Sequence, residues 1–163
     1  MTPQAIFGIS VLLASIVWGL VAIQHVWPAL QGRGRADALS PILLLHSFRF
    51  IGLVFLVPGV VSPDLLLAFA RPAAYGDFAT SILALLSLAT LGGGIGIAFA
   101  WALNVVGTLD LLYAFVQGNR TGLGEAPGLQ GAAYFIPTLV VPLLLVTHVL
   151  VFRILLIPDR RRR

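Results

Sequence analysis

The sequence predicts an all-α fold, a polytopic transmembrane bundle of five helices, and three observations predict it. Of the 163 residues 59% are apolar and 10% charged, with a mean hydropathy of +1.01. A soluble domain carries about 25% charged residues, so this composition belongs to a hydrocarbon solvent. The apolar residues also gather into five runs of about 20, the length that crosses a ~30 Å hydrocarbon core as a helix. Finally, the runs are separated by breaks such as Gly92-Gly93-Gly94. A cytosolic enzyme domain, a disordered tail and a secreted disulfide scaffold are excluded on this composition. The chain has no cysteine, which excludes disulfides, thiolate catalysis and cysteine-ligated metals. All ten basic residues are arginine, which excludes a lysine Schiff base.

One membrane domain, 1–163, accommodates the five spans. The first runs over about 6–27, with Pro28 as a stop signal. It lacks a basic start and is longer than the ~7–15 residues of a signal-peptide core, so a retained helix is expected. The second covers about 41–61, with Ser40 as N-cap and Pro41 at the first helical position. The third covers about 77–92 and the fourth about 95–117, the triple glycine between them reading as a hairpin turn. The fifth covers about 132–157, where Pro137 and Pro142 should kink the helix and free carbonyls. Between the second and third spans, 62–76 reads as an amphipathic segment lying on the membrane surface. The loop 118–131, rich in glycine, reads as irregular; its Asn119-Arg120-Thr121 matches a glycosylation pattern but lies against the membrane.

Orientation follows from arginines in short loops. Arg33, Arg35 and the terminal Arg160, Arg161, Arg162 and Arg163 fall on one face, Arg71 and Arg120 on the other. Six against two places the C-terminus in the cytoplasm and the N-terminus outside. A basic tract after an apolar helix is a cytoplasmic anchor near anionic lipid rather than a nucleic-acid surface.

Ionisable residues inside a span are costly, and each raises a functional hypothesis. They are His25, His46, Arg49, Asp110, His148 and Arg153, accompanied by Asn104, Tyr113 and Gln117. At 1.5 Å per residue, all three histidines fall in the cytoplasmic leaflet on three helices. Arg49 and Asp110 differ by about 6 Å in depth, which an arginine side chain can cover. On the fourth span Gly96, Ala100, Asn104 and Thr108 form a small-and-polar stripe that admits a close neighbour. Asp110, Tyr113 and Gln117 are expected on the opposite face. On the fifth, Tyr134, Thr138, Val141, Leu145, His148 and Phe152 are expected to share the inward face.

Candidate ligand-binding or polar-core residues are therefore His46, Arg49, Asn104, Asp110, Tyr113 and His148. Two histidines on different helices can ligate a b-type haem, for which His46 and His148 are the best pair. His25 could add a third nitrogen for a metal. Histidine with carboxylate or arginine also suits a proton relay or a quinone site. The plainer reading makes His25 an interfacial amphipath, has His46 and Arg49 serve a helix start, and leaves His148 as a satisfied bundle histidine. A nucleotide site is excluded, because the glycine cluster has neither strand nor phosphate-binding context.

Arg49-Phe50-Ile51-Gly52-Leu53-Val54-Phe55-Leu56, followed by Gly59, resembles the first-helix signature of DoxX-like bacterial membrane proteins. The layout after it, with Phe69, Tyr75-Gly76 and Asp77 opening an apolar helix, is also similar. The resemblance implies a four-helix unit from His46 to Arg153 preceded by one added N-terminal helix, with Arg49 inside the bundle. It also implies an association with quinone-linked redox systems. The chain departs from the pattern at Pro58, and the usual acidic residue of the third helix is represented only by Asp77 at its entrance.

Two function classes follow. One is an accessory or lipophile-binding subunit of a membrane complex in a bacterial inner membrane, with the bilayer and a lipophilic small molecule or larger complex as partners. The other is a redox or proton-transfer component binding quinone or b-type haem through the bundle histidines. A small transporter is disfavoured, since no inverted repeat is visible and only one acid lies mid-membrane.

Overall fold

The computed structural model describes residues 1–158, and the terminal arginines invoked above as an anchor lie outside them. Five long helical segments make up the fold: α1 Pro3–Leu30, α2 Arg35–Leu56, α3 Leu67–Ala89, α4 Gly94–Arg120 and α5 Ile136–Leu156. Each is long and apolar enough to cross a membrane, consistent with multi-pass membrane placement. Among the described residues there is no strand.

The distribution of residues is the reverse of a water-soluble protein. His46, Arg49, Asp77, Asn104 and His148 are buried, whereas Leu12, Ile23, Leu109 and Phe115 face outward. Since an exposed apolar surface this continuous is costly in water, the fold suits an apolar solvent. Helices α2 to α5 close a ring in which each packs on its sequence neighbour and α5 returns to α2. Helix α1 packs on α5 from outside: only 6% of its most apolar window is buried, against 33–44% for the other four. The architecture is thus one helix added to a four-helix unit.

Several boundaries differ from the sequence expectation. Pro28 does not stop α1, because a π-turn over Ala22–Val26 widens the helix just before it and the chain continues to Leu30. Helix α2 begins at Arg35, so Ser40 and Pro41 lie inside it rather than at its start. Its second half, Phe48–Leu56, is a 3-10 helix. With three residues per turn, that segment stacks Arg49, Gly52 and Phe55 on one buried stripe. Helix α3 begins at Leu67, ten residues before the expected position, and absorbs most of the segment read as a surface helix.

Pro72 lies within α3 and cannot bond the carbonyl of Ala68. The Gln117 amide nitrogen of α4 donates to that carbonyl at 3.3 Å, which offsets the break. At the start of α5, a π-turn over Ile136–Val140 takes up Pro137, and the Trp18 indole donates to the Leu139 carbonyl at 3.1 Å. The turn between α3 and α4 falls at the triple glycine as expected. The loop after α4 is more ordered than its glycines suggest: Pro127–Tyr134 forms 3-10 turns, with Gly131 at φ 51°. It is tied to the α2–α3 loop by Ser62 N–H to Leu129 O (2.9 Å) and Ala132 N–H to Val60 O (3.1 Å).

Two apolar clusters result. One, around Leu39, Leu43, Leu103, Val151 and Leu155, fills the end of the bundle nearest Arg35. The other, around Phe55, Phe69, Ala74, Leu123 and Ile136, fills the opposite end. His46, Arg49, Asp77, Asn104 and His148 lie between them along the helices.

Candidate functional site

Arg49 occupies the middle of the ring. The 3-10 stripe of α2 points its side chain inward, and its guanidinium reaches all three other helices of the unit. Its Nε donates to Asp77 Oδ1 of α3 at 2.7 Å and its Nη2 to Asp110 Oδ2 of α4 at 2.7 Å. Its Nη1 donates to His148 Nε2 of α5 at 3.1 Å. The arginine side chain is fully buried, while both carboxylates keep 10% exposure.

Three glycines make this approach possible. A Cβ at Gly52 would strike the Asp77 side chain, and one at Gly76 would strike Asp110. A Cβ at Gly107 would lie 2.6 Å from Arg49 Nη1 and 2.7 Å from His148 Cε1. The socket around the ion pairs is built from backbone in order to admit charged groups at full hydrogen-bonding contact.

The bonds also fix the tautomer of His148. A guanidinium only donates, so Nε2 must accept and Nδ1 must carry the proton. That Nδ1–H donates to Asn104 Oδ1 at 2.7 Å, and the Asn104 amide nitrogen returns a bond to the His148 carbonyl at 3.3 Å. The imidazole is neutral in this arrangement. With both aspartates ionised, Arg49, Asp77 and Asp110 together carry one uncompensated negative charge. His46 lies against His148, ring centroids 4.4 Å apart, with its Nε2 3.1 Å from Thr147 Oγ1. Its Nδ1 is buried with no partner.

The structure therefore brings together His46, Arg49, Asn104, Asp110 and His148 of the predicted set, but not Tyr113. That residue is exposed, and its hydroxyl accepts from Gln117 on the outer surface. The Arg49–Asp110 pair forms as depth suggested. Asp110 is not opposite the small-residue stripe, however: it sits at the rim of the buried face through Gly107. The inward face of α5 is also rotated from the expected one. Leu145 is exposed, whereas Leu144, Thr147, His148 and Val151 are buried.

Sequence reasoning missed Asp77 and Thr147. Asp77 was placed at a helix entrance; because α3 starts ten residues earlier, it lies in the interior instead. Thr147 carries no charge to draw attention. Its signal was adjacency to His148 on a helix, which puts two polar groups on one buried arc.

The residues do not fit the haem or metal readings. Both His148 nitrogens are engaged, and the two imidazoles pack directly on each other, leaving no gap for a porphyrin between them. His25 is exposed on α1. Among the described residues no group of three His, Cys, Asp or Glu side chains could hold a metal ion.

No curated protein and no solved structure matches this chain. A family described as a domain of unknown function, DUF8737, matches residues 6–156, nearly the full length of the described chain, and the protein belongs to that family.

Proposed function

We propose that this protein is a proton-transfer component of a bacterial inner membrane, with its N-terminus outside and its C-terminus cytoplasmic. One observation carries the reading: a single buried arginine is bonded to two carboxylates, Asp77 buried and Asp110 half-buried, which leaves the cluster one positive charge short. Water cannot make up that charge deep in hydrocarbon, and an uncompensated ion there is costly. A proton is the smallest cation that balances it. Asp110 and Asp77, each with some exposure, are the groups that exchange the proton with the surroundings. Arg49 cannot deprotonate, so it holds the carboxylates together and does not conduct. His148, bonded to Arg49 rather than to a carboxylate, and His46 beside it continue the buried polar row toward the arginine-rich end.

Infrared titration of the purified full chain tests this. A carboxylic C=O band should appear and vanish as pH is scanned across the window in which the protein stays folded, and it should be lost or shifted in Asp110→Asn. A carboxyl signal unchanged across that window would overturn the reading, because a group that never changes state cannot pass on a proton.

The accessory or lipophile-binding role is the second reading, and it is supported by α1. This helix contributes little to the four-helix unit and presents its apolar length outward, as a helix does when it packs against a larger membrane complex or against lipid. The DoxX-like layout from Arg49 onward supports a quinone-linked setting for either role.

A further inference from the structure

We infer that the cleft at the arginine-rich end of the bundle binds a phosphate group, supplied by the headgroup of an anionic phospholipid. The cleft has a volume of about 380 Å³ and lies between the end of α1, the 31–34 turn and the last turn of α5. Trp27, Gln31, Arg33, Arg35, Ile154 and Pro158 line it, and no acidic side chain does so among the described residues. Arg153 adds a third cation, its guanidinium 3.9 Å over the Trp27 ring.

Among the described residues, two hydrogen-bond donors here are buried without a partner, the Trp27 indole Nε1 and Arg35 Nε. Both groups donate only, so nothing but an acceptor satisfies them, and a buried donor left unsatisfied is destabilising. Arg35 is not free to swing away from the cleft, because its Nη2 donates to the Ile157 carbonyl at 2.7 Å. An oxyanion with several acceptor oxygens matches this set of donors, and arginine binds phosphate oxygens with charge-assisted bonds.

Position identifies the source. The cleft sits where α1 ends, α2 begins and α5 ends, all within a few residues of one another. In a multi-pass fold that is the level of the lipid headgroups, where tryptophan and arginine concentrate. Its apolar wall includes Ile157, which faces outward and suits an acyl chain beside the phosphate.

Native mass spectrometry of the full chain in mild detergent tests the assignment with phosphatidylglycerol, phosphatidylcholine and inorganic phosphate as probes. One phosphatidylglycerol per chain should be retained in preference to phosphatidylcholine. Arg33→Gln, which breaks no side-chain bond among the described residues, and Trp27→Phe, which keeps the ring under Arg153 but removes the donor, should each weaken retention about tenfold. A chain ending at Pro158 should still retain the lipid. Equal retention of both lipids, indifference to both variants, or loss on removing the arginine tail would each overturn the proposal. Binding of inorganic phosphate without lipid retention would assign the cleft to a soluble phosphate and overturn the lipid source.

Discussion

Two arginines, Arg49 and Arg35, face opposite problems in this fold. Arg49 is sealed in the centre of the four-helix unit, and each of its three nitrogens has a protein partner within 3.1 Å. Arg35 lies at a helix end, uses one nitrogen to hold the Ile157 carbonyl, and leaves its Nε buried and unpaired. The difference separates two uses of a positive charge near hydrocarbon. Where the protein supplies all acceptors, the charge organises the protein; where it withholds one, the charge waits for something else. The cluster around Arg49 has a surplus of acceptors and so attracts a cation. The cleft around Arg35 has a surplus of donors and so attracts an anion.

Removing the central charge breaks the comparison most directly. Arg49→Met keeps the length of the side chain but leaves buried Asp77 and half-buried Asp110 without a countercharge. Removing one partner of a buried pair costs about 3–5 kcal/mol, so the variant should lose its folded, monodisperse form well below the temperature at which the parent does. Arg49→Met combined with Asp77→Asn and Asp110→Asn removes all three charges and should recover much of that loss. If the single and triple variants melt together, the carboxylates are not held by Arg49 and the central cluster is not organised by charge.

The glycine socket sharpens the same point at smaller cost. In Gly107→Ala the new methyl would collide with Arg49 and His148. Overpacking of this kind costs about 1–3 kcal/mol. Gly8 and Gly19 on α1 have open space around them, and alanine there should be neutral or mildly stabilising because it favours the helix. Thermal unfolding in one detergent, followed by helical circular dichroism, compares the three variants. An unchanged Gly107→Ala melt would mean that the ion cluster can shift to make room, contrary to a close-packed socket.

What could be read from the sequence follows the range of the forces involved. Span number and the turn at Gly92-Gly93-Gly94 were legible because hydrocarbon thickness and glycine breaks act locally. The Arg49–Asp110 pair was legible from depth alone. The start of α3 was not, since Pro72 normally argues against a helix through that point and its compensation comes from Gln117 on another helix. The place of Asp77 in the cluster depends on the same early start, with α3 beginning at Leu67. The 3-10 half of α2 was equally invisible. Its sequence is as apolar as any α-helix, and only tertiary packing of Arg49, Gly52 and Phe55 rewards three residues per turn. Facing residues depend on rotation, and a small difference in helix phase turns Leu145 outward and Thr147 inward.

The Gln117–Ala68 contact is the smallest effect that still tests how the fold tolerates its prolines. Pro72 removes one backbone donor from α3, and the amide of Gln117 on α4 replaces it at 3.3 Å. If this replacement is the reason α3 continues through the proline, Gln117→Ala should cost about 0.5–1 kcal/mol, the usual worth of a polar contact between membrane helices. In the Pro72→Ala background a backbone N–H returns to the Ala68 carbonyl, and Gln117→Ala should then cost almost nothing. The interaction free energy from that double-mutant cycle is the decisive quantity. Equal effects of Gln117→Ala in both backgrounds would show that the amide matters for its bond to Tyr113 and not for the carbonyl. The early start of α3, and with it the interior position of Asp77, would then need a cause other than this contact.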